Sequence, residues 1–242
     1  MRLSNAHLPQ WLENSSLFRQ SFLLRKLLLT KKKLSHYSQF AEDVSISRLF
    51  PRNYKGFFVD VGCFHPFRYN NTYRMYTRGW RGINIDIDSI KIEAFNLFRR
   101  QDINIACAVG EQSGIVECYH GGFYSLGSTI DKEFAEAHGR HVTRTVECKT
   151  LTEIIDGTRF NGRPIDLLSV DTEGNDLSVL KSLDFPRYKP YVVVVESHLE
   201  ILEDVMESDL YKFLKSEGHS MVAWCGLSLI MANKSYAAPL EE

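Results

Sequence analysis

The sequence predicts an α/β protein built on a mostly parallel sheet with helices on both faces. Three observations predict it. Short apolar runs alternate with stretches of helical period along the chain. The two clearest runs, Gly56–Val61 and Gly82–Asp86, are apolar almost throughout, as strands buried on both faces are. Each delivers an acid, Asp60 or Asp86, at the carboxyl edge, where an open parallel sheet binds its ligands.

The elements follow in order. Residues 1–36 read as a helical appendage to a domain spanning 37–242. Ser38 is expected to cap a helix running to Phe50, ended by Pro51 and Asn53. Strand one is Gly56–Val61. A helix over Thr72–Arg78 stops at Gly79, and strand two is Gly82–Asp86. Asp88 or Ser89 caps a helix to Arg100, and Ile103–Val109 is strand three. A turn at Glu111-Gln112-Ser113-Gly114 leads to a short strand, Ile115–Tyr119. The stretch from Gly121 to Arg140 reads as a loop with one helical piece. Arg144–Cys148 is a strand and Leu151–Ile155 a short helix. Ile165–Val170 is strand four, followed by a helix over Leu177–Leu183 that ends near Pro186. Tyr191–Val195 is strand five, and a helix covers Leu202–Ser216. Ser220–Ala223 and Leu227–Met231 close the chain as an antiparallel hairpin.

Composition sets limits. The 242 residues suffice for one full core, and a formal charge of −1 gives no global drive toward nucleic acid. Five scattered cysteines with no C-x-x-C pair argue against structural zinc or a disulfide framework. They fit a reducing, cytoplasmic compartment. No run is long enough to span a bilayer. Leu17–Lys33 is nevertheless basic and amphipathic, with no acids between Arg19 and Lys33. Such a helix either lies on an anionic membrane or packs against the core or a second subunit of a homo-oligomer.

The strand ends carry the chemistry. An acid closing the second strand is the usual acceptor for ribose hydroxyls, so Asp86 points to a nucleoside-containing cofactor. The first turn, Val61-Gly62-Cys63-Phe64-His65-Pro66, has one glycine and then bulky residues. A dinucleotide needs G-x-G-x-x-G there to bring its pyrophosphate against the backbone. S-adenosylmethionine, with ribose and adenine but no phosphate, fits better than a nicotinamide cofactor. A nicotinamide-dependent dehydrogenase is therefore the rival enzyme, and a non-catalytic cofactor-binding or scaffold module the rival of another class. Gly62 lets the cofactor's amino-acid part approach the backbone, and Asp60 accepts from its ammonium or caps the turn. Asp171 and Glu173 end strand four; they could orient a hydroxyl, bind a divalent metal, hold the ammonium, or satisfy helix-start amides. Glu196 and His198 end strand five and point to one side in extended geometry. Asp171, Glu196 and His198 are thus expected to converge, either with His198 as a general base steered by a carboxylate or as ligands of magnesium or manganese. Gln39 shares a helical face with Asp43 and either closes the cofactor pocket or faces solvent. His120, His138, His141 and the group Phe123, Tyr124 and Ser125 fall where a substrate lid would lie.

Four segments in order carry a family resemblance: Tyr37-Ser38-Gln39-Phe40-Ala41-Glu42-Asp43, Phe58 through Pro66, Asn71-Thr72-Tyr73 with Arg78-Gly79-Trp80-Arg81-Gly82, and Ser169-Val170-Asp171-Thr172-Glu173-Gly174 with its D-x-E-G pattern. Together they resemble the FkbM family of S-adenosylmethionine-dependent methyltransferases, over about Tyr37 to Asn233. The resemblance implies the class I methyltransferase Rossmann-like fold, with a seven-stranded sheet. It implies O-methylation of a sugar, glycan or natural-product acceptor. It places Ala108 beside adenine and makes His65, Asn71 and Tyr73 substrate-side candidates, His65 doubling as the alternative base.

Overall fold

The computed structural model describes residues 36–121 and 127–236 together with Leu17. The chain divides into two units, Met1–Ser35 and His36–Glu242, and the sheets lie in the second. The expected amphipathic helix over Leu17–Lys33, Leu17 apart, and the group Phe123, Tyr124 and Ser125 lie outside the described residues. Among the described residues no helix is long and apolar enough to cross a membrane.

In chain order the second unit runs α1 (Glu42–Ile46), β1 (Phe57–Val61), α2 (Tyr73–Thr77), β2 (Arg81–Asp86), α3 (Ser89–Phe98), β3 (Ile103–Ala106), β4 (Ala108–Val109), β5 (Gly114–His120) and α4 (Lys132–Ala137). It continues through β6 (Val142–Lys149), α5 (Leu151–Asp156), β7 (Leu167–Val170), α6 (Asp176–Lys181), α7 (Phe185–Tyr188), β8 (Val192–Glu196), α8 (Leu202–Glu207), α9 (Asp209–Ser216), β9 (Ser220–Cys225) and β10 (Ser228–Ala232). Seven strands form one sheet in the order β3-β2-β1-β7-β8-β10-β9. All neighbours pair in parallel except β10, which runs antiparallel to both β8 and β9. A second, three-stranded sheet has the order β4-β6-β5.

Alternation along each strand divides the core. Phe57, Val59 and Val61 of β1 join Leu168, Val170, Val193 and Val195 in one cluster, with Leu151 of α5 and Leu180 of α6. Phe58, Leu167, Val192, Val194 and Ile230 face the other way, against Ile46 of α1, Met75 of α2 and Trp80. The strands are buried on both faces, which explains why they read as continuous apolar runs.

Four expectations need correction. Ser38 caps no helix: its hydroxyl bonds Asp43, and α1 starts only after Ala41, which has a positive φ. That kink also ends the expected shared face of Gln39 and Asp43. Strand three breaks at Cys107, where the chain leaves β2 and pairs instead with β6. The helix over 202–216 splits at Ser208, whose extended backbone and hydroxyl start α9 by capping Tyr211 N–H. Pro186 ends nothing; it sits in the first turn of α7, where its missing N–H costs nothing.

The loops behind β1 and β2 hang on one buried cation. Arg99, with no solvent exposure, donates from Nε to Asp102 Oδ2 at 2.9 Å and from Nη1 to Asn70 Oδ1 and Thr72 Oγ1 at 3.2 and 3.0 Å. Asp102 in turn accepts from Gly82 N–H and Asn84 Nδ2 of β2. Asn70 Nδ2 and Thr72 Oγ1 donate to Asp60 Oδ2 at 3.0 and 2.7 Å. Removing one member of such a buried ionic network leaves the others unpaired. Arg99→Met should lower the unfolding free energy by about 3–5 kcal/mol in urea denaturation at neutral pH; a loss below about 1 kcal/mol would show that Asp60 and Asp102 do not need the cation.

Candidate active site

The carboxyl ends of β1, β2, β7 and β8 surround a cavity of about 640 Å³, inside the range that holds cofactor-sized ligands. Gln39, Gly62, Asp86, Ala108, Asp171, Glu173, Glu196 and His198 all line it. Asp60, His65, Asn71 and Tyr73 do not line it.

Strand parity explains the first absence. Asp60 lies on the Phe58 side of β1, away from the Val61 side, and its carboxylate is taken by Asn70 and Thr72. Burial pushes its pKa up, and Arg99, Thr72 and Asn70 pull against that rise. Its work is to anchor the loop after β1, not to hold an ammonium. Asn71 falls on the same side and donates to Ser169 Oγ at 3.2 Å. Tyr73 packs edge-on against Tyr37 and Phe67. His65 Nδ1 accepts the N–H groups of Phe67 and Arg68 at 3.1 and 3.2 Å. That pattern puts the ring proton on Nε2, and burial followed by Arg68 pushes the pKa down. Neither nitrogen is then placed to take a proton from a ligand in the cavity.

Gly62 lines the cavity for a reason the sequence did not suggest. Its φ is +78°, and a Cβ there would come within 1.7 Å of the Asp171 carbonyl oxygen. The glycine lets the ends of β1 and β7 close up, with Asp171 N–H donating to Val61 O at 3.0 Å.

Asp86 occupies one end of the cavity. Its Oδ2 accepts from Phe64 N–H at 3.1 Å and its Oδ1 from Asp88 N–H at 2.8 Å. An ionised carboxylate offers about four acceptor positions, so two remain, the number a vicinal diol needs. Ile85, Ile87, Cys107 and Ala108 supply apolar wall beside it. The arrangement suits a ribose with its base. Asp88 does not cap α3 through its side chain; it accepts from Arg144 Nη2 at 3.3 Å.

The other end is acidic. Asp171 follows directly on β7 and is exposed to the open cavity. Burial, then Glu196, then Asp176 push its carboxyl well above the usual carboxylate range, and water in the open cavity moderates the burial part. Glu196 is raised as well, chiefly by burial. His198 Nε2 lies 3.4 Å from Glu196 Oε2. Glu173 has an unusual φ of +56° and pairs with Arg140 at 3.5 Å. Asp171, Glu196 and His198 therefore meet at one wall.

Several lining residues escaped sequence reading: Phe64, Tyr69, Lys91, Phe134, Asn175 and Leu227. Phe134 and His138 stack at 4.0 Å between ring centres, and Phe134 lies 5.3 Å from His198. They come from α4, in the stretch expected to form a lid. Only Lys91 carried a usable signal, a cation in the first turn of a helix, where the macrodipole favours acids.

Among solved structures the chain is similar to M. capricolum TrmK in complex with S-adenosyl-homocysteine, at 13% identity over 86% of this chain and 74% of that one, with a TM-score of 0.44. It is similar to a TehB-like SAM-dependent methyltransferase from Corynebacterium glutamicum, at 12% identity over 93% and 97%, with a TM-score of 0.40. A precorrin-6y C5,15-methyltransferase from Geobacter metallireducens follows at 12% identity over 84% and 90%, with a TM-score of 0.39. No curated protein sequence matches the chain. The family description "Methyltransferase FkbM domain" matches residues 60–221, more than half of the chain, and covers both Asp86 at the ribose end and the acids of β7 and β8 at the other. The match sets aside the dehydrogenase and scaffold readings: the chain belongs to the FkbM family of S-adenosylmethionine-dependent methyltransferases.

Proposed function

We propose that the protein methylates a hydroxyl of a sugar, glycan or glycosylated precursor. The observation that carries this reading is the polar far wall of the cavity, where His198 Nε2 stands 3.4 Å from Glu196 Oε2 beside Asp171. A wall of carboxyl groups suits an acceptor rich in hydroxyls, and a neighbouring ring such as Phe134 suits the apolar face of a pyranose. S-adenosylmethionine supplies an already activated methyl group, so the protein needs only to align the acceptor oxygen and remove its proton. With S-adenosylmethionine bound, Asp86 would hold the ribose hydroxyls and Ala108 would supply part of the adenine wall. Glu173 and Asp171 would orient the acceptor. His198 would accept the acceptor's hydroxyl proton, and Glu196 would hold the resulting imidazolium in place.

A divalent cation is the second reading, favoured by one observation. Single ligand atoms of Glu173, Glu196 and His198 all lie within 4.8 Å of one another. This set replaces Asp171 of the expected trio with Glu173, because the positive φ at Glu173 turns the chain there. Two carboxylates and an imidazole suit manganese better than magnesium. Arg140 already neutralises Glu173, which favours the metal-free reading.

With methyl transfer measured on a panel of sugar acceptors, His198→Ala should lower turnover by roughly 10²–10⁴-fold while S-adenosylhomocysteine affinity stays within about twofold. Chelator should leave the rate unchanged. Full activity in His198→Ala removes the base assignment, and loss on chelation with recovery on added manganese selects the metal reading instead. Asp171 tests the acidic wall separately. Its pKa is higher folded than unfolded, so it favours the fold below the unfolded value near about 4, and that contribution is lost as pH rises through the folded pKa. Asp171→Asn removes the loss. Its melting temperature should exceed wild type by about 1–3 °C at about pH 8 and equal it at about pH 4, while turnover falls. A lower melting temperature at about pH 8 would mean that the carboxylate is not held at a cost.

A further inference from the structure

Lys91 has no role in the chemistry above, and its position is unfavourable on two counts. It lies in the first turn of α3, a helix with no side-chain cap, at the end whose macrodipole favours an acid. It is also only 2% exposed, so its ammonium has given up nearly all of its water. Among the described residues it is the single lysine or arginine lining the cavity. Its Nζ stands 3.5 Å from Asp86 Oδ1, close enough for an ion pair and too long for a good hydrogen bond. It also lies 5.2 Å from the centre of the Phe64 ring, whose backbone N–H binds the other oxygen of Asp86.

We propose that Lys91 is a positioning residue for the cofactor: its ammonium keeps Asp86 an ionised carboxylate while leaving two acceptor positions open for the ribose hydroxyls. The inference rests on the reading of Asp86 as ribose acceptor. The need for such a partner follows from where Asp86 sits. Burial raises the pKa of the Asp86 carboxyl, and Lys91 is the largest influence opposing the rise, ahead of the N–H groups of Asp88 and Phe64. The other titratable or charged groups facing Asp86 do not replace it. Asp88, at the start of α3, pushes the wrong way and is itself paired with Arg144 of β6. Cys63, after β1, and Cys118, on β5, are thiols whose pKa values burial raises. A neutral Asp86 would present one oxygen as a donor and could no longer accept from both hydroxyls. Because Lys91 makes no hydrogen bond to Asp86, it supplies the charge without filling the acceptor positions.

The test is calorimetric titration of S-adenosylhomocysteine into the full chain from about pH 6 to about pH 8.5. Wild type should bind with nearly constant affinity. Lys91→Met keeps the stem and loses the charge; it should bind at least about tenfold more weakly at about pH 6 and recover part of that loss by about pH 8.5, as Asp86 ionises without help. Lys91→Arg keeps the charge and should hold the flat profile. Wild-type affinity in Lys91→Met, or a loss that is equal at every pH, overturns the proposal, since a purely structural side chain would act evenly. If Lys91→Met does not fold, the Asp86 carboxyl carbon of wild type followed by NMR decides: it should stay ionised over the whole range, and a neutral Asp86 at about pH 6.5 overturns the proposal. Failure of wild type itself to bind would instead count against the cofactor site.

Discussion

A guanidinium with no access to solvent ties together the elements behind β1 and β2. Arg99 reaches Asp102, Asn70 and Thr72, and through the last two it reaches Asp60. Three aromatic rings close around it, those of Phe58, Tyr76 and Phe95, at 4.9–5.3 Å from its central carbon. Burying that charge is costly unless every neighbour answers it. The neighbours are drawn from β1, the loop after it, α3 and the turn into β3, so satisfying the charge sets the relative position of all four. The loop that delivers Phe64 to Asp86, and hence the shape of the ribose end, follows from that arrangement.

The cavity is polarised along its length. Lys91 and Asp86 offset each other at one end, and Asp171, Glu173 and Glu196 crowd the other with Arg140 and His198 in partial compensation. Phe64, Tyr69 and Glu173, non-glycine residues with positive φ, all line this cavity.

The small sheet gives the far wall its reach. β5 and β6 pair along their full length, from Gly114 opposite Cys148 to His120 opposite Val142. Thr129 bridges back to Tyr119, and its hydroxyl donates to the carbonyl of Glu173 at 2.8 Å. α4 then lays Phe134 against Gly174, where a Cβ would come within 2.9 Å of the ring. A glycine in the D-x-E-G segment therefore serves an aromatic brought from forty residues upstream, as well as the turn it sits in.

The sequence alone determined the layered α/β architecture, because strands buried on both faces must be largely apolar, a mark left on β1, β2, β7 and β8. It also determined that Asp86, Asp171, Glu196 and His198 would meet at one edge, since strand ends in a parallel sheet share a side. It did not determine which strand-end side chains face the cavity. Asp60 stands two residues before Gly62 and turns to the opposite face by strand parity, and Asn71, in the loop before α2, is held away from the cavity by Ser169. Nor did it determine the tautomer of His65, the break at Cys107 or the pairing of Lys91 with Asp86. Those depend on groups far apart in the chain, and only folding brings them within hydrogen-bonding or Coulombic range.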